Sequence, residues 1–131
     1  MKVIEGLNTD RAAVYLARAR FGIGLSMLAA PGLAGKICLG RESDSRGVRV
    51  FARLTGVREI ALGAGASIAI GQGRGGGDWV SMLAVCDAGD AIVSLLTPGL
   101  PVGARIIGVG AAVSAVVHLK LAKDLVAAGA R

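Results

Sequence analysis

Residues 60–71, IALGAGASIAIG, and 106–117, IIGVGAAVSAVV, are apolar whichever way they are wound into a helix. A helix in water keeps a broad polar face, and one that is apolar all round belongs in lipid or in the core of a large protein. A chain of 131 residues cannot build a large core. The two segments therefore point to a membrane. With 53% hydrophobic residues, 18% charged and a mean hydropathy of +0.64, the composition agrees. The 21 glycines follow no collagen period, and most sit in apolar stretches beside alanine and serine, where small residues let helices approach closely in lipid.

Polar punctuation divides the chain, which has no internal repeat, into four apolar segments. The spacing predicts an all-α fold, a single domain over 1–131: a four-transmembrane-helix bundle with helices at about 12–30, 48–72, 79–97 and 102–121 and both termini on the same side. Pro31 ends the first helix, and a short interfacial turn follows it. The loop GRESDSRG (40–47) is expected to be solvated, GRGGG (73–77) to be a glycine turn, and TPGLP (97–101) to end the third helix, on which Trp79 is an interfacial anchor. A soluble helical bundle is the rival reading. No run of 18 residues is free of charge, and the longest such run, 21–35, has 15.

Charge sharpens the picture. Fifteen lysines and arginines face nine acids, and the cations gather at the ends of apolar runs: Lys2 and Arg11; Lys36, Arg41, Arg46, Arg49 and Arg53; Lys120, Lys123 and Arg131. Headgroups attract cations there. One Trp, one Tyr and two Phe offer no platform for stacking bases, so nucleic acid is not an expected partner. Eight cations on the terminal side against six on the other lean towards cytoplasmic termini in the inner (plasma) membrane of a bacterium. The N-terminal stretch lacks the compact apolar core and small-residue cleavage site of a removable signal peptide.

Against this background the segment AVCDAGDAIV (84–93) is the anomaly, with two aspartates three apart in a third apolar helix. At 1.5 Å per residue, Asp87 lies roughly 12 Å and Asp90 roughly 16 Å below Trp79, and Arg58 and Arg20 reach roughly 20 Å and 12 Å from the same surface. Arg58 is therefore expected to meet Asp90, and Arg20 or Arg18 to meet Asp87. Unpaired charges at such depth cost at least a few kcal/mol each. Glu59, one residue from Arg58 and directed elsewhere, is expected to be left free for a proton. Small residues at intervals of four, Gly63, Ser67 and Gly71 on the second helix and Ala104, Gly108 and Ala112 on the fourth, mark two close helix contacts.

Other chemistry finds little footing. Cys38 and Cys86 form no CxxC or zinc spacing and are read as small buried hydrophobes without a disulfide. His118, the single histidine, falls near the predicted end of the fourth helix and is read as interfacial; alone it makes no metal site. GQGRGG (71–76) fits G-x-G-x-x-G, but it follows an apolar helix rather than a strand, so the dinucleotide fingerprint is refused. No cofactor is called for, and hydrolase and NTPase motifs are missing.

In the order of its features, FGIGLSMLAAPGLAGKICLG, then RLTGVREIALGAG, then DAGDA, the chain resembles small four-helix bacterial membrane proteins of DoxX-like type over roughly residues 15–120. The resemblance implies an inner-membrane bundle, and DoxX-like proteins have been linked to membrane-bound redox assemblies. Two functions are carried forward. One is a noncatalytic accessory or scaffold subunit, with the bilayer, another membrane protein or a second copy as partner. The other is an enzyme or binder of a lipophilic molecule, such as a quinone, isoprenoid or sterol-like compound, using Arg58, Glu59, Asp87 and Asp90.

Overall fold

The computed structural model describes residues 2–129, with side chains from Asn8 onward except at 42 and 44. The Lys2 side chain and Arg131 lie outside the described residues. Four long helices, α1 (Lys2–Ala29), α3 (Arg46–Gly71), α4 (Gly76–Leu96) and α5 (Val102–Gly129), and one short one, α2 (Pro31–Leu39), account for nearly all of them. The all-α expectation holds, and no strand occurs among the described residues. Three helical stretches, Asn8–Ala29 within α1 together with α4 and α5, are long and apolar enough to cross a membrane; α3 is not among them. It carries Arg46, Arg49, Arg53 and Arg58 in its first half and Glu59 at its middle.

α1 begins at Lys2, ten residues before the predicted start at about 12, and two further boundaries differ from the sequence reading for identifiable reasons. The stretch after Pro31 is a nine-residue helix and not a turn, because proline is accommodated at the first helical position, where its missing N–H is not needed. Ala30, immediately before the proline, leaves the helical region at φ −132°, ψ 62°, and separates α1 from α2. The fifth helix runs on to Gly129, eight residues past the predicted end, since Lys120 and Asp124 pair at i, i+4 (2.8 Å) within it. The charged loop at 40–47 is not wholly solvated either. Residues 40–44 form a 3-10 turn in which Ser43 is buried, and Ser45 caps α3 by accepting from the Val48 N–H at 3.1 Å.

Close backbone contacts fix how the long helices pair. A Cβ built on Gly63 would lie 2.5 Å from the Ala17 carbonyl oxygen, and one on Gly24 would lie 2.6 Å from that of Gly56. Residue 17 thus meets 63 and 24 meets 56, so α1 and α3 run antiparallel with their backbones nearly touching. In the same way Gly77 abuts Ala122 and Val126, and Gly108 abuts Ser94 and Leu95, which makes α4 and α5 antiparallel. The Trp79 ring lies across Gly65, joining α4 to α3. Two apolar layers follow, Ala13 with Val80 and Ala122, and then Ala17 with Ala66 and Leu83.

The distribution of bulk is the reverse of a soluble protein's. Among the described residues, eight of the ten buried apolar ones are alanines, and many larger ones, including Phe51, Ile106, Val113, Val116 and Leu96, face outward. An aqueous domain leaves large apolar patches outside only where something else covers them. Here they belt the molecule, as lipid-facing side chains do.

The predicted stripes of small residues fare unequally. Gly63 and Gly108 make close contacts, Ala104 is buried, and Ala112 is half-buried. Ser67 is half-buried and turns its hydroxyl to the Gly63 carbonyl of its own helix at 2.8 Å. Gly71 is exposed with open space around it, so it takes no part in a helix contact. Gly24, Gly56 and Gly77, which the interval of four did not pick out, do.

Candidate buried charge seam

Six ionisable side chains from four helices form one connected chain. On α4, Asp87 and Asp90 are three residues apart and share a face. Arg58 of α3 donates to Asp90 through both ends of its guanidinium, Nη1 to Oδ1 at 3.0 Å and Nη2 to Oδ2 at 2.6 Å. That is the bidentate arrangement in which a planar guanidinium best matches a carboxylate. The same guanidinium folds back on its neighbour, with Nε and Nη2 lying 3.2 Å and 3.0 Å from Glu59 Oε1.

Glu59 carries the chain inward. Its other oxygen, Oε2, is 2.9 Å from Arg20 Nη1 of α1, a contact that is an ion pair without hydrogen-bond alignment. Arg20 Nη2 in turn donates to Asp87 Oδ1. Asp87 Oδ2 accepts from the Ser114 hydroxyl at 2.6 Å and lies 2.9 Å from His118 Nδ1, both on α5 and one helical turn apart. The order along the seam is Asp90, Arg58, Glu59, Arg20, Asp87, His118, alternating in sign when the imidazole is protonated.

The inner part is dry. Asp87 and His118 are each 3% exposed, Glu59 is 7% and Arg20 is 9%. Arg58 and Asp90, at the outer end, have side chains 37% and 40% exposed. The structure therefore brings together Arg58 with Asp90 and Arg20 with Asp87. Arg18, the other candidate for Asp87, is exposed; it sits two residues from Arg20 and so on another side of α1.

Two expectations are corrected. Glu59 is not left free for a proton, because arginines on two helices hold both of its oxygens. The long Arg58 side chain bends back across the helix surface, and Glu59 points between α1 and α3, not away from the seam. His118 is not interfacial but buried, eleven residues before the end of α5. It and Ser114 are the members that sequence reasoning did not connect to the seam. The signal was present, since a serine and the chain's single histidine four apart on an otherwise apolar helix share one face.

Features elsewhere do not join this site. A cleft of about 510 Å³ lies where α3 and α5 end and α4 begins, lined by Ile70, Gly73, Asp78 and Val126 among others, and no seam residue borders it. No cluster of three or more His, Cys, Asp or Glu among the described residues could hold a metal ion. Both cysteines are free thiols, and burial pushes that of Cys38, on α2, up from its ordinary value, which favours the protonated form. No family model, curated protein or solved structure matches the chain, so the DoxX-like resemblance rests on the quoted residues alone.

Proposed function

We propose that this chain is a four-span inner-membrane protein of a bacterium, with both termini cytoplasmic, that serves as a noncatalytic accessory or scaffold subunit. Its buried seam fixes the register of α1, α3, α4 and α5, and its apolar belt meets lipid and another membrane protein or a second copy. The observation that carries this reading is that every carboxylate of the seam is engaged by a cation from another helix or from its own: Asp90 and Glu59 by Arg58, Glu59 and Asp87 by Arg20. A site built to act on a ligand leaves groups directed at it. Here Arg58, Glu59, Asp87 and Asp90 are directed at each other.

The seam also supports α3 as the fourth span. Its 26 residues rise about 39 Å, enough to cross the hydrocarbon, and what disqualifies it by composition is charge. Arg46, Arg49 and Arg53 lie at its head, where headgroups accommodate them. Arg58 and Glu59 lie deeper but are neutralised by each other and by Asp90 and Arg20. The DoxX-like relationship is part of the same proposal and would place the chain among small inner-membrane bundles.

A double-mutant cycle on Arg58→Leu and Asp90→Leu tests the structural role. Each single substitution should lower the midpoint of thermal unfolding in detergent. The double variant should recover much of the loss, with a coupling of about 1 kcal/mol or more, as contacting residues show. Additive losses would mean that the two side chains do not support one another. A double variant as stable as the native protein that no longer binds a lipophilic ligand the native chain retains would turn the assignment towards the binding reading.

A further inference from the structure

The side of α1 turned away from the bundle carries two arginines. Ala13, Ala17, Arg20 and Gly24 are buried, whereas Arg11, Tyr15, Arg18, Gly22 and Leu25, spaced four, three, four and three, are exposed and form one stripe along the helix. Tyr15 is 80% exposed, and open space surrounds Gly22. Arg18 lies well inside the apolar stretch Asn8–Ala29, about 15 Å from Asn8 at 1.5 Å per residue. Neither Arg18 nor Arg11 has a hydrogen-bond or ion-pair partner among the described residues.

A cation at that depth needs an anion. A second copy does not offer one from its accessible acids whose side chains are described, because Asp90 pairs with Arg58, Asp124 pairs with Lys120, and Asp10 and Asp78 line the recessed cleft at the start of α4. A lipid phosphate does. Side chains on a helix lean towards its N-terminus, and a long basic stem carries its charged end further the same way, so Arg18 extends from the hydrocarbon towards the headgroups beside Arg11.

We propose that this stripe binds the headgroup of one anionic glycerophospholipid. Its phosphodiester sits between the Arg11 and Arg18 guanidiniums, which match phosphate oxygens through paired N–H donors, and Tyr15 donates its hydroxyl from between them. One acyl chain runs down the helix over Gly22, where a Cβ would meet nothing, and along Leu25. Two arginines with no acid beside them repel the ammonium of a zwitterionic headgroup, so a lipid of net negative charge is selected. Held there, it anchors α1 at a set depth in the bilayer.

The inference rests on α1 crossing a membrane, and the two can fail separately. Native mass spectrometry of the intact chain released from nanodiscs of equal phosphatidylcholine and phosphatidylglycerol counts the lipids it keeps. Phosphatidylglycerol should be retained in preference by about tenfold or more, and Arg18→Gln should cut that preference about fivefold, the worth of one cation near an anionic surface. Arg11→Gln combined with Arg18→Gln should abolish it. Lys123→Gln removes a cation from the same end of the bundle, where Ala122 shares a layer with Ala13, and should leave the preference unchanged. Both arginines are exposed, so the variants should enter the discs with native helix content, which circular dichroism checks. Equal retention of the two lipids by the native chain, or a preference that survives the double substitution, would overturn the proposal while the membrane reading stands. A native chain that does not enter the discs would overturn both.

Discussion

Arg20→Leu should be the most damaging single substitution in the chain, costing about 3 to 5 kcal/mol, the range seen when one partner of a buried pair is removed. Arg20 is the cation between two buried carboxylates, with Glu59 on one side and Asp87 on the other. Its loss leaves the seam with a single arginine against three acids. Arg58 still holds Glu59, but Asp87 keeps only Ser114 and the imidazole. Arg18→Leu, two residues away on an exposed face, provides the comparison and should change stability by less than about 1 kcal/mol. Chemical or thermal unfolding of both variants in the same detergent checks the difference. Equal stabilities would mean that Arg20 is not enclosed by the carboxylates.

Gly63→Leu against Gly71→Leu should give the second large contrast. The two glycines lie on one helix, eight residues apart. A side chain at Gly63 meets backbone on α1, the Ala17 carbonyl oxygen at 2.5 Å and the Phe21 nitrogen at 2.8 Å, and backbone cannot move aside as the end of a flexible side chain can. The α1–α3 pair must separate, at a cost of about 3 kcal/mol or more. At Gly71 a side chain meets nothing within 4 Å, and leucine there should be neutral within about 0.5 kcal/mol. Yield of folded protein and unfolding midpoint would read the contrast. A well-folded Gly63→Leu protein would rule out the close α1–α3 approach.

These glycines show where sequence reading reaches its limit. An interval of four marks one face only over a short distance, since 3.6 residues complete a turn and eight residues drift by about 80°. Gly63 and Gly71 looked equivalent in the sequence and face different surroundings in the fold. The pairing of Arg58 with Asp90 was readable because it needed only rise per residue and an antiparallel arrangement. Glu59 was not, because the conformation of an arginine side chain decides whether its neighbour is bypassed or bonded. His118 was misplaced for a simpler reason. Lys120, Lys123 and Asp124 read as the end of a span, whereas Lys120 and Asp124 satisfy one another along a helix that continues. The helical class and three membrane-compatible helices followed from apolar patterning, and the helix at 48–72 was expected as a fourth span, whereas the charge on α3 keeps it out of that group.

The alanine-lined interior has a thermodynamic consequence. In a water-soluble domain, unfolding wets a large apolar area, and the resulting heat-capacity increase bends the stability curve into a dome that declines on cooling as well as on heating. When these helices part within a bilayer, alanine and glycine surfaces exchange neighbouring helices for acyl chains and stay dry. Little heat capacity is gained, so the free energy of helix separation should vary almost linearly with temperature, set by van der Waals contact and the charge seam. Such an assembly has no cold limit of the aqueous kind.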